Sequence, residues 1–348
     1  MSIHNIKSNY LLGEITIIIF SRDRHQKLKK VLEYWGTIPV KVIVLHRTLV
    51  PLSISDVPNN INYIVSDLNY ADRAKIALEL IRTEFSIICS DDEVYLMSAL
   101  FKMVKIMYQD INLKSIGGQC IAISNYGNKI AASKAYGELF RYSLVSNNAT
   151  ARLEMHLFQN LRKVPVGGMY RLMRSEDMSS LLKIFSKATS ITSPYVFEVT
   201  GEIFTALIGN CTYLDEVYWI RNWDSEIVST NDWDRNNNFS DWWFNYSNLS
   251  LRDKWIQSIA KESQTDIDIL QLTLILNHYL FNQKSDNRKD YKKRKYRSKH
   301  FFNAKYFLRK ILPFVKQVKV LDSLLVELSK EGRVFNDEEI AKACEYVL

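Results

Sequence analysis

From Glu14 to about Asp110 the chain alternates short apolar runs with amphipathic stretches, the signature of a βαβ arrangement over a largely parallel sheet. Ile15-Thr16-Ile17-Ile18-Ile19-Phe20 predicts a strand. Leu28, Val31, Leu32 and Trp35 then fall at i, i+3, i+4 and i+7, the spacing of a helix with one buried face. Lys41 to Leu45 and Asn62 to Val65 read as the next strands, and Ala74, Ala77, Leu78 and Ile81 repeat the helical spacing. Phe85 to Cys89 is a further strand, followed by a helix marked by Leu96, Leu100, Met103, Val104 and Met107. Ligands of such sheets bind at the carboxyl ends of strands. Two polar turns fall there: Ser21-Arg22-Asp23-Arg24, and Ser90-Asp91-Asp92-Glu93.

Beyond Ile116 the regularity loosens. Ile116 to Ser124 and Lys129 to Lys134 read as sheet, Ala151 to Leu161 as helix, and Val166-Gly167-Gly168-Met169-Tyr170 as a turn or a close backbone approach. A helix over Glu198 to Leu207 and a strand over Thr212 to Ile220 lead into a Trp- and Asn-rich region ending near Phe244. The tail reads as mainly helical. Thr265 with Asp268 resembles a capping box, and Asn336 with Glu339 precedes Ile340, Ala343, Cys344 and Val347 on one face. The 348 residues are expected to divide into an α/β unit over 1–240 and a helical region over 241–348.

No apolar run approaches the roughly 20 residues of a membrane span, and Met1 to Lys7 lacks the pattern of a signal peptide. The expected location is therefore the cytoplasm. Cys89, Cys120, Cys211 and Cys344 are scattered, which suits buried free thiols better than zinc or a disulfide framework. The net charge of +8 implies an anionic partner. Much of the excess lies between Lys284 and Lys310, where basic residues adjoin Phe301, Phe302, Tyr306, Phe307 and Leu308. That composition suits an anionic membrane surface, RNA, or a solvated loop and helix.

Carboxylates crowded at a strand end repel one another, and a cation or polar ligand relieves the repulsion. A nucleotide-bound divalent ion takes one or two hard oxygen ligands from the protein, which Ser90-Asp91-Asp92-Glu93 offers. The alternative is that these acids cap a following helix and oppose its dipole.

The strand Ile15 to Phe20, the turn Ser21 to Arg24, the stretch Asn69 to Ile81 and the run Ile87 to Glu93 together resemble the nucleotide-sugar half of a GT-A glycosyltransferase similar to family 2. The resemblance covers residues 14 to 110 well and 160 to 225 loosely. It implies a Rossmann-like α/β fold, a mixed, mostly parallel sheet flanked by helices, with a mainly helical C-terminal region. It also implies Mn²⁺ or Mg²⁺ on a donor diphosphate, held by Asp91, Asp92 or Glu93 in a DxD-like motif. Ser21, Arg22, Asp23 and Arg24 would border the donor, as would Arg73, Lys75 and Asp92. The family's acids after the second strand are replaced by Leu45-His46-Arg47, with Asp67 as a substitute. For an inverting transfer the resemblance implies a carboxylate base at a later helix start, where Glu198 and Glu202 stand, with Glu202 closer to the pattern. Asp224 would replace a histidine beyond Arg221, and Trp223, Trp233, Trp242 and Trp243 offer faces for sugar stacking or for core packing.

The function this implies is transfer of a sugar from a nucleotide-sugar donor to a glycan or lipid-linked glycan acceptor, of lipopolysaccharide or capsule type. Membrane contact through Lys284–Lys310 then gains weight over nucleic acid, and places the protein peripherally at the inner face of the membrane. The alternatives are a nucleotidyltransferase, disfavoured because Ser21 to Arg24 has no glycine, and a nucleic-acid-binding protein using the basic segment.

Overall fold

The computed structural model describes residues 10–126, 128–135, 143–159, 167–191, 194–223, 239–282 and 319–348. The basic segment 284–310, Asp224 and Trp233 lie outside them.

Four parallel strands form one half of the sheet: β1 (Ile15–Arg22), β2 (Lys41–Arg47), β3 (Ile61–Ser66) and β4 (Phe85–Cys89), in the order β3-β2-β1-β4. β1 is largely apolar because both of its faces are covered: Ile15, Ile17 and Ile19 enter one core and Ile18 the other. Helix α1 (His25–Gly36) buries the expected Leu28, Val31, Leu32 and Trp35, and α2 (Tyr70–Leu80) carries Ala74 and Ala77 into the opposite core. Winding reverses between β1 and β4, since β2 and β3 lie to one side of β1 and β4 to the other. The crevice at such a reversal is where doubly wound sheets bind ligands. Ile19 pairs with Cys89 across it, so the turns after β1 and β4 are neighbours.

The other half of the sheet is mixed. β5 (Glu93–Tyr95) and α3 (Met97–Gln109) lead to the long β6 (Leu113–Tyr126), which pairs antiparallel with β7 (Lys129–Ala135) and β8 (Leu172–Arg174). β6 also pairs parallel with β9 (Asn210–Asn222), and β9 pairs antiparallel with β5. Between β7 and β9 run α4 (Ala149–Glu154), which continues as a π-helix over Met155–Gln159, then α5 (Ser175–Ser186) and α6 (Pro194–Ile208).

The described residues beyond 240 pack on both cores of the sheet. Phe239, Trp242 and Trp243 join Trp255, Ile256 and Leu276 in the α2–α5–α6 core. The strand β10 (Lys319–Val320) extends the sheet beside β7, while α7 (Leu321–Lys330) and α8 (Asp337–Val347) pack on the α1–α3 core. Asn336 caps α8 as expected, accepting from the Glu339 amide at 3.1 Å. At the other expected box the cap is Asp268, which accepts from the Gln271 amide at 2.7 Å, while Thr265 meets Ser263 instead. The four cysteines are buried and free. Among the described residues no helix is long and apolar enough to cross a membrane.

Arg174 ties the two halves of the sheet. It is buried, and its guanidinium donates to the carbonyls of Leu113 at 3.2 Å, Met107 at 2.9 Å and Asp110 at 3.1 Å. Arg174→Met removes these three donations at once and is expected to destabilise the fold by on the order of 3 kcal/mol, read from the urea midpoint at unchanged slope.

Candidate active site

The acids after β4 do not cap a helix. Asp91 and Asp92 form a turn, Glu93 opens β5 opposite Arg221, and α3 starts only at Met97 with Leu96 in the capping position. Strand pairing with β9 draws the acidic turn into the sheet, and all three side chains are buried.

Each acid has a specific partner. Arg24 Nη1 lies 2.7 Å from Asp91 Oδ1, its Nη2 donates to Asp92 Oδ2, and Ser21 Oγ donates to Asp91 Oδ2 at 2.7 Å. Glu93 is held on the other side: Arg221 Nε lies 3.3 Å from Oε1, and Trp219 Nε1 donates to Oε2 at 3.0 Å. Burial pushes Asp91 up to about 6 against the opposing pull of Arg24, and Glu93 up to about 8 against that of Arg221. Asp91 and Asp92 are thus drawn to Arg24 and Glu93 to Arg221. Among the described residues no three His, Cys, Asp or Glu side chains form a group able to hold a metal ion. The residues present do not fit the expected Mn²⁺ or Mg²⁺ site; the positive charge at this edge is a guanidinium.

The other expected donor residues divide. Ser21 and Arg24 join the acids, while Arg22 lies half-buried beside Asp23, at 3.7 Å. Asp23 is exposed in the left-handed region at φ 51°, where its amide donates to the Arg47 carbonyl at 3.2 Å. Arg73 does not face the crevice's ligand space as expected. It is buried, and Nη1 donates to the carbonyls of Ser21 at 2.7 Å and Leu45 at 2.8 Å, so it fixes the ends of β1 and β2. Lys75 is exposed on α2. Asp67 is exposed beyond β3, 3.4 Å from Arg47 Nε. His46, standing where the family places an acid, is buried with Nδ1 2.7 Å from the Tyr63 hydroxyl. Burial and the neighbouring His25 lower it to about 4.

Glu202 is not placed as a base. It is 2% exposed; one carboxylate oxygen lies 2.9 Å from His156 Nε2, and the other accepts from the adjacent amides of Gly167 and Gly168. Burial acts to raise its pKa, but His156 and the two amides overcome that and hold it below the ordinary value. This clamp fixes the turn before β8. Gly168 is required there, because a Cβ would lie 2.5 Å from the Gly201 carbonyl oxygen. The turn delivers Tyr170, whose ring stacks on Trp219 with centroids 4.8 Å apart. Burial raises the Tyr170 phenol, and the charges of Glu93, Glu198 and Asp92 all act in the same direction. Glu198 is half-buried one turn before Glu202 on α6.

Trp242 and Trp243 pack in the core with Phe239 and Trp255, which removes them as sugar platforms. Trp223, at 45% exposure, ends β9 at the surface. The contributions of Trp219, Tyr170 and His156 were not legible in the chain. Trp219 lies in an apolar strand run, and His156 meets Glu202 only when α4 and α6 pack together.

No protein-family model matches the chain, and no curated protein matches it. Among solved structures, S. aureus TarS 1–349 is similar to it at 12% identity and a TM-score of 0.47, over 77% of this chain and 71% of that one. A second S. aureus TarS structure is similar at 11% identity and a TM-score of 0.47, over 76% of this chain and 42% of that one. At these values no residue role transfers from either.

Because the Glu202 pKa is depressed in the folded state, its stabilisation is complete above the ordinary value of 4.5 and is lost as pH falls through the folded value. Glu202→Gln is thus expected to cost on the order of 3 kcal/mol at neutral pH. The gap to wild type should narrow on acidification below the ordinary value, measured by urea unfolding across that range.

Proposed function

We propose that this chain is a glycosyltransferase that moves a sugar from a nucleotide-sugar donor to a hydroxyl of a growing surface glycan, of lipopolysaccharide or capsule type. The observation that carries the reading is the meeting, at the β1/β4 reversal, of Ser21 and Arg24 with Asp91 and Asp92. In an inverting transfer the bond between the anomeric carbon and the nucleotide oxygen breaks as the acceptor oxygen attacks from the opposite face. The electron pair leaves on the diphosphate, and the acceptor proton passes to a carboxylate. Arg24 and Ser21 stand with the acids at the crevice where the diphosphate would depart. Glu198 is the base in this reading rather than Glu202, since Glu202 is sealed in its clamp while Glu198, one turn earlier on α6, is half-buried.

Peripheral attachment to an anionic membrane through Lys284–Lys310 belongs to the same reading and rests on the sequence alone. The nucleic-acid alternative rests on the same basic segment, and salt-sensitive RNA binding lost on neutralising Lys292 to Lys295 would favour it.

The test is thermal stabilisation by a panel of nucleotide sugars, followed by transfer assays with the class that binds. Glu198→Gln is expected to lower kcat by about 10²- to 10⁴-fold while leaving donor-induced stabilisation unchanged. Failure of every nucleotide class to stabilise the wild-type protein overturns the reading.

A further inference from the structure

We propose that the Arg24 guanidinium is the resident cation of the Asp91–Asp92 pair and stands where a divalent ion would otherwise be held, so that anionic ligands bind this edge without a metal. Three observations carry it. Arg24 directly precedes α1, and its carbonyl accepts from the Leu28 amide at 2.9 Å, so its backbone is anchored at the crevice by the helix start. Its two terminal nitrogens are divided between the carboxylates, one on Asp91 and one on Asp92, which is how a bridging cation is held. The third acid, Glu93, is drawn away to Arg221 and Trp219 and adds no ligand to the pair.

A divalent ion seated on the same oxygens would lie in contact range of the guanidinium, and two cations at that separation repel strongly in a buried site. The ion and the arginine therefore exclude one another. A guanidinium does not lose its proton in proteins, so this cation is permanent, whereas a bound ion exchanges.

The test measures Mn²⁺ binding by the loss of the free-ion electron paramagnetic resonance signal, on the full chain without nucleotide. Wild type is expected to leave the signal unchanged into the millimolar range. Arg24→Met is expected to bind Mn²⁺ more tightly by about tenfold or more, and to lose that gain when Asp91→Asn or Asp92→Asn is added. Saturable wild-type binding that Asp91→Asn abolishes overturns the proposal, and so does an Arg24→Met protein that gains none. If Arg24→Met does not fold, Arg24→Gln removes the charge while keeping a polar side chain on the carboxylates, and the same gain is required of it. A second arm rests on the proposed nucleotide-sugar reading: stabilisation of wild type by the binding nucleotide is expected to be unchanged by EDTA, and metal-dependent stabilisation overturns the proposal. Absence of any nucleotide stabilisation counts against the glycosyltransferase reading and leaves the Mn²⁺ arm to decide this one.

Discussion

Three carboxylates buried at the mouth of an apolar sheet are tolerable only with compensating charge, and two arginines from distant segments supply it. Arg24 arrives from the start of α1 and Arg221 from the end of β9. A buried carboxylate left without a partner costs several kcal/mol or takes up a proton, and the arginines oppose that upward shift at Asp91 and Glu93. The ion pairs consequently knit the β1/β4 crevice to the mixed half of the sheet. β5 can pair with β9 because Glu93 and Arg221 face each other in that register.

The same logic operates on the opposite side of the crevice. Glu202 is fully enclosed, yet its oxygens are matched to His156 and to two consecutive glycine amides. A carboxylate so enclosed orders the main chain around it, and Gly168 and Gly201 permit the close approach that this requires. The result is a rigid turn that sets Tyr170 against Trp219. A site assembled from loops gains its geometry from such anchoring.

The described C-terminal residues serve both faces of the sheet. Helices over 249–282 close one core, and β10, α7 and α8 close the other. Asn222 Nδ2 donates to the Val347 carbonyl at 2.8 Å, and the Ser98 amide donates to Glu339 at 3.1 Å. The chain end thereby supports the very strand and helix that flank the acidic turn.

Residues 14–110 were legible in advance because local periodicity carries the information: an apolar run of strand length, a one-sided helix and a polar turn each require only neighbours in sequence. The parallel half, its helices and the two turns at the carboxyl edge follow from that pattern. Which core each helix beyond 240 closes did not follow, because composition reports helix content and not packing partners. The fates of Arg73, Glu202, Glu93 and the tryptophans were likewise decided by tertiary structure. Whether an arginine meets a ligand or a carbonyl, and whether a glutamate takes protons or anchors a turn, depends on groups 28 to 126 positions away along the chain. The sequence by itself determined the sheet edge where polar chemistry gathers, since that depends on local order. Only the folded chain decided which charge answers which, since electrostatic pairing acts through space and is indifferent to distance along the backbone.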